Sequence, residues 1–193
     1  MAYTFFGLQV AVKAFFQDDF RSRLHQVIAQ GQERQSLAEK RVFWKRVTTV
    51  LNQGMPVFEQ GYWDLIRDDS AEAEFESWCS EIEGSVATEA EEMGSAADEV
   101  NRLSAERSYI LVTLAVLLER DSNSDLTLGE RCDLPESEWF TRATFARLIA
   151  SIPMLNFANV QADAVYLVPG NDTDGLSDDD LHGEGYEYLK PLG

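Results

Sequence analysis

Apolar runs alternate along the chain with amphipathic stretches, and three of the runs predict β-strands. The longest, 109–118, is almost entirely apolar and rich in β-branched residues, which is typical of a central strand covered on both faces. A buried helix is the competing interpretation, because periodicity alone does not separate the two. The run 5–12 alternates like a half-buried strand, and 162–168 is the third predicted strand.

Helical periodicity predicts four to five helices around these strands. Capping residues and apolar positions three and four apart place the helices at about 18–31, 36–54, 70–93, 96–103 and 136–151. The stretch 57–66 is predicted to be a short helix or turn, and 119–134 a polar loop.

These elements predict one α+β domain over 1–193. Its small mixed sheet has about three strands, 5–12, 109–118 and 162–168, with the helices around it. The second and third strands, with the helix between them, predict a C-terminal βαβ unit, whose crossover is right-handed. The acidic tail 170–193 is expected to pack on the domain.

The strongly acidic composition argues against two classes of partner. The 193 residues include 16 Lys and Arg against 34 Asp and Glu, a formal charge of −18. Nucleic acids and anionic membranes both require clustered basic residues, so neither is expected as a partner. The charge instead favours solubility, a basic partner or a saline cytoplasm.

The sequence also predicts a location. No apolar run approaches the roughly 20 residues of a transmembrane helix, and the N-terminus lacks the basic start of a secretion signal. Two distant cysteines form neither a disulfide framework nor a zinc motif. We therefore expect a soluble protein in the cytoplasm or an equivalent stromal compartment.

Sequence motifs that carry chemistry are missing. There is no Gly-rich phosphate loop and no G-x-S-x-G elbow. The two histidines, His25 and His182, lie outside any such motif. The sequence therefore predicts no catalytic residue, no cofactor and no metal, and it does not favour an enzyme.

One acidic loop offers a weak candidate metal site. Asp121, Asn123 and Asp125 occupy positions one, three and five of an EF-hand-like loop. Leu126 stands where a Gly is required, and Cys132 where a bidentate Glu is required. A solvated acidic loop is the simpler interpretation, with divalent-metal binding as the alternative.

Two aromatic residues form a candidate partner surface. Tyr62 and Trp63 directly follow Gly61, and exposed aromatic side chains often anchor protein interfaces. Packing in the core is the competing interpretation.

The C-terminal half resembles a known family. The segment SYILVTLAVLLE resembles a strand of the uncharacterised family called domain of unknown function 1517 (DUF1517). The tail resembles that family's closing pattern of a strand, an acidic stretch and a D-x-L-S motif. The matching positions are Pro169, Asp174, Leu176, Ser177, Leu181, Tyr186 and Leu189. The departures are Leu167 for Trp, Val168 for Thr, Asp180 for Glu, and Glu187-Tyr188 for Pro-Glu.

The resemblance implies a cellular context for the protein but does not imply that it catalyses a reaction. Members of that family occur mainly in cyanobacteria and plastids, and have been linked to thylakoid membranes and the adjustment of photosynthesis. Many carry a Gly-rich or hydrophobic N-terminal extension that this sequence lacks, so membrane association is not expected. The family has no established activity, so the resemblance assigns no catalytic residue.

The leading prediction is a non-enzymatic accessory or regulatory protein that binds another protein, related by the resemblance to photosynthetic acclimation. An enzyme or small-ligand-binding protein with an unfamiliar pocket is the alternative, with His25 as a candidate polar group. Metal binding is the second alternative. The oligomeric state stays open.

Overall fold

The computed structural model describes residues 2–13, 19–31, 36–92, 109–169, 175–183 and 185–193. These form an α+β domain around one antiparallel sheet of five strands. The strands are β1 Tyr3–Lys13, β2 Phe58–Ile66, β3 Tyr109–Glu119, β4 Val160–Val168 and β5 Lys190–Pro191. The helices are α1 Asp19–Gln30, α2 Leu37–Gly54, α3 Ala71–Glu92, α4 Asn123–Cys132, α5 Arg142–Ser151 and α6 Asp178–His182.

The sheet is centred on β1, and its strand order is β4-β3-β1-β2-β5. All four neighbouring pairs run antiparallel. The three predicted strands are present as β1, β3 and β4, but the prediction of a mixed three-stranded sheet is wrong. The predicted βαβ unit is also wrong, because β3 and β4 are adjacent antiparallel neighbours rather than parallel strands joined by a crossover.

Two segments that the sequence predicted as turns or loops contain regular secondary structure. The segment predicted as a short helix or turn at 57–66 is β2, where polar residues on both faces obscure the alternation. Its Gly61 lies against the Phe145 ring, which a Cβ atom would approach to 2.6 Å. The loop predicted at 119–134 contains α4, which begins where the Ser122 hydroxyl accepts a hydrogen bond from the Asp125 N–H.

The predicted helix 136–151 is shorter in the structure. It begins as α5 at Arg142, after a separate 3₁₀ turn at Glu136–Glu138. The Thr141 hydroxyl caps its first turn through the N–H of Thr144. The predicted helix at 96–103 lies outside the described residues.

The sheet separates two layers. Along β1, the side chains of Phe6, Leu8, Val10 and Val12 enter the main core with α1, α2, α4 and α5. The alternate residues face the other layer, formed by α3 and by the C-terminal segment, which comprises residues 175–183 and 185–193 and from which Leu192 alone among the buried leucines joins the main core. None of the helices in the described ranges is long and apolar enough to cross a membrane.

Candidate functional site

Four polar residues form a row across the sheet on the face covered by α3. Gln9 of β1 pairs with Tyr62 of β2 and with Thr113 of β3, and Thr113 pairs in turn with Tyr166 of β4. Gln9 is 5% exposed and Thr113 is completely buried. Buried polar side chains are costly unless they are hydrogen-bonded, so the partners of this row determine what it does.

The central pair belongs to a network that reaches the C-terminal segment. The Gln9 amide donates from Nε2 to the Thr113 hydroxyl at 2.9 Å. The Tyr188 hydroxyl donates to the Gln9 Oε1 atom. The network fixes the Gln9 amide and holds the Tyr188 ring above the middle of the sheet.

A cavity of about 590 Å³ lies above this row, between the sheet, α3 and the C-terminal segment. We call it the aromatic cavity, because Tyr and Trp rings form much of its wall. Its lining residues are Gln9, Tyr62, Trp78, Glu81, Ile82, Leu111, Val168, Gly185, Tyr186 and Tyr188. Its volume lies in the range of small-molecule sites, which combine apolar walls with a few convergent polar groups.

The Tyr62 ring contacts two other rings of the wall, those of Trp78 and Tyr188. The Tyr62 ring centre lies 6.2 Å from that of Trp78 and 5.3 Å from that of Tyr188, which it meets edge to face at 74°. Gly7 allows Trp78 to lie close to the sheet, because a Cβ atom at Gly7 would be 2.6 Å from the indole ring. The position of the indole thus depends on a missing side chain in β1.

Burial and nearby carboxylates make Tyr62 and Tyr188 weaker acids than a free tyrosine. Burial, with smaller contributions that include Tyr186 and Glu81, raises the pKa of Tyr188 to about 12. Burial and then the Asp64 carboxylate raise the pKa of Tyr62. General acid–base catalysis works best with a pKa near the operating pH, so these phenols are better suited to binding, as protonated hydrogen-bond donors.

The last residue of the polar row ties α3 to the sheet. The Tyr166 hydroxyl donates to the Glu83 Oε1 atom at 2.9 Å. Burial and the neighbouring Cys79 and Glu83 side chains raise the pKa of Tyr166. Burial also raises the pKa of the Cys79 thiol. This end of the row holds α3 over the sheet and so helps to shape the cavity.

The candidate partner-surface residues Tyr62 and Trp63 lie on opposite faces of β2, as successive strand residues do. Both are half-buried. Tyr62 lines the aromatic cavity. Trp63 packs against the Trp139 ring, with ring centres 6.1 Å apart, and donates from Nε1 to the Trp139 carbonyl oxygen at 2.9 Å. The structure therefore does not bring the two rings together on one surface.

The acidic loop at Asp121, Asn123 and Asp125 forms the start of α4. Asp125 is completely buried and pairs with Arg67 at 2.8 Å. Its Oδ2 atom also accepts the Asp121 N–H at 2.8 Å, while Asp121 and Asn123 are exposed. Within the described ranges, no group of three or more His, Cys, Asp or Glu side chains is placed to hold a metal ion.

His25 lies away from the cavity. It is exposed on α1, and α1 packs against the opposite face of the sheet. The structure therefore does not bring His25 together with the polar row.

Sequence reasoning missed most of the site, although part of the signal was present. Gln9 and Thr113 interrupt apolar strands at positions facing the same side of the sheet. Because a buried polar residue requires a partner, these interruptions could have identified the face. No local pattern indicates Trp78, Glu81 or Tyr188.

The comparisons with known proteins identify no relative: no family model, curated protein or solved structure matches this chain. The resemblance to the DUF1517 family stays a prediction.

Proposed function

We propose that this protein binds a small organic molecule in the aromatic cavity. The observation that carries the proposal is the Gln9 amide, which is fixed by the Thr113 and Tyr188 hydroxyls at a cavity with aromatic walls. A fixed polar group within a largely apolar cleft is the usual composition of a specific small-molecule site.

Energetics support a binding role for the polar row. The Gln9–Thr113 pair is hydrogen-bonded, so its burial is largely compensated, but an apolar pair of the same shape would be about as stable. The residues that flank Thr113 on the same face of β3, Leu111 and Ala115, are apolar and at most 1% exposed. Packing on this face therefore does not require a polar pair, whereas the orientation of a ligand would.

The function predicted from the sequence, an accessory or regulatory protein that binds another protein, stays a prediction. The large apolar side chains exposed among the described residues lie on separate elements: Leu37 and Val42 on α2, Leu126 on α4, Met154 after α5, and Tyr188, which is only 36% exposed, near the C-terminus. Ligand binding is compatible with a regulatory role. A ligand in the aromatic cavity would contact Tyr188, which lies in a surface segment that a protein partner could also contact.

The proposal is tested by a ligand-observed NMR screen of the whole chain. The library contains neutral, cationic and anionic fragments. Ile82→Trp fills the cavity from α3, because Ile82 lines it and is 6% exposed. Val42→Trp is the matched control on the exposed side of α2, where Val42 is 58% exposed.

We expect fragments that bind the wild type and Val42→Trp but not Ile82→Trp. A screen without binders, or binders that Ile82→Trp retains, would contradict the proposal. A near-UV circular dichroism spectrum of each variant checks that the fold is retained.

A further inference from the structure

We infer that the ligand of the aromatic cavity is a small organic cation with an alkylated ammonium group, such as a trimethylammonium head. The inference rests on the proposed function, because it assumes that the cavity binds a small molecule. It adds the chemical class of that molecule.

The walls of the cavity are the first argument. The rings of Tyr62, Trp78, Tyr186 and Tyr188 all line it. The face of an aromatic ring attracts a cation through its quadrupole, most strongly for Trp, and quaternary ammonium groups are commonly bound by such clusters of rings. Alkyl groups on the nitrogen add apolar surface that these walls can cover.

The charge around the cavity is the second argument. Glu81 is the one acidic residue among the described lining residues, which include no Lys, Arg or His. Its carboxylate acts on Tyr188, and the carboxylates of Asp64 and Glu74 act on Tyr62, in each case raising the pKa of the phenol. The same negative field stabilises a cation placed among these rings.

The same features disfavour the other ligand classes. An anion would meet Glu81 and would find no Lys, Arg or His among the described lining residues. A neutral ligand could contact the rings but would gain nothing from the carboxylate. Only a cation would be attracted both by the aromatic rings of the walls and by the carboxylate of Glu81.

The test is calorimetric titration of the whole protein with choline and with 3,3-dimethylbutan-1-ol, which has the same shape but carbon in place of the charged nitrogen. We expect choline to bind at least about tenfold more tightly, since a cation over several rings gains that much or more.

Binding of the alcohol as tight as that of choline would overturn the cation inference and leave the proposed function intact. Failure of choline to bind would also overturn it. The fragment screen then separates the two claims, because neutral or anionic binders displaced by Ile82→Trp would still support a small-molecule site.

Substitutions of two exposed glutamates on α3 test whether the charge of Glu81 contributes to binding. Glu81 is exposed, so Glu81→Gln should leave the fold intact and weaken choline severalfold without changing the affinity of the alcohol. Glu76→Gln is the matched control, because Glu76 is exposed on the same helix but does not line the cavity. Equal effects of the two substitutions on choline would contradict the role given to Glu81.

The aromatic contribution is tested at Tyr188. Tyr188→Phe keeps the ring and removes the hydroxyl, whereas Tyr188→Leu removes both. We expect choline to lose between about twofold and thirtyfold more affinity in Tyr188→Leu than in Tyr188→Phe. Equal losses would show that the ring face does not bind the cation.

Discussion

The hydrogen bond between Gln9 and Thr113 should appear as a coupling energy in a double-mutant cycle. Gln9→Met removes the amide at nearly constant volume, and Thr113→Val removes the hydroxyl at constant shape. The two groups lie 2.9 Å apart and are almost inaccessible to water, at 5% and 0% exposure. Each single substitution therefore leaves a buried polar group without its partner.

The magnitude follows from this burial. Leaving a buried donor or acceptor unsatisfied costs about 1–3 kcal/mol, whereas replacing both partners by apolar groups is nearly neutral. We expect Gln9→Met and Thr113→Val each to lower the free energy of unfolding by about 1–2 kcal/mol. The double variant should lose at least about 1 kcal/mol less than the sum.

The assay is urea unfolding of the four proteins, followed by fluorescence and by far-UV circular dichroism to check that the transitions coincide. Thr48→Val provides a control cycle with Gln9→Met, because Thr48 is 3% exposed but donates within α2 to the Trp44 carbonyl oxygen. Additivity within about 0.3 kcal/mol for Gln9 and Thr113, as expected for the control, would refute the reasoning.

Three further predictions concern the surroundings of the site. Gly7→Ala should lower the free energy of unfolding by about 1–3 kcal/mol, because its Cβ atom would lie 2.6 Å from the Trp78 ring; an unchanged urea midpoint would contradict this. Asp125→Asn should cost about 1–3 kcal/mol in urea unfolding, since it weakens a charged hydrogen bond to Arg67 at 2.8 Å, and wild-type stability would show that the pair contributes nothing. The pKa of Tyr188, about 12 in the folded protein, lies above the ordinary value of about 10. The folded state thus keeps a proton that the unfolded state loses, so this contribution to stability is complete below pH 10 and is lost as the pH rises towards 12. Urea midpoints should therefore fall more steeply above pH 10 in the wild type than in Tyr188→Phe, and equal slopes would contradict the shift.

The sequence predicted correctly those strands in which the arrangement of apolar and polar residues follows a single clear pattern. The apolar run at 109–118 and the alternation in 5–12 reflect strands buried in the middle of the sheet, and both are strands in the structure. Strand β2 was missed because its sequence, FEQGYWDLI, carries polar residues on both faces. Most of β2 has no strand on its outer side among the described residues, since β5 pairs only with Gln60 and Gly61.

The direction of the strands could not be read from the apolar pattern. A helix between two apolar runs fits a parallel crossover and an antiparallel return equally well. In this chain 40 residues separate β3 from β4, which is enough for α4 and α5 to pack on the main core before the chain returns antiparallel.

The candidate site depends on contacts between distant parts of the chain. The Tyr188 hydroxyl meets the amide of Gln9, 179 residues earlier in the sequence. Trp78 reaches the sheet only because position 7 is glycine. Local patterns predict elements, whereas these contacts depend on how the elements pack.

The central claim is that the aromatic cavity binds a ligand, and the indole N–H resonances of the four tryptophans test it most directly. Trp78 lies on the cavity face, while Trp44, Trp63 and Trp139 lie on the other side of the sheet. In a two-dimensional ¹H–¹⁵N spectrum, saturating choline should shift the Trp78 indole and the Gln9 side-chain amide and leave the other three indoles in place. Shifts confined to the other indoles, or no shift at Trp78 with choline or any fragment of the library, would contradict the account.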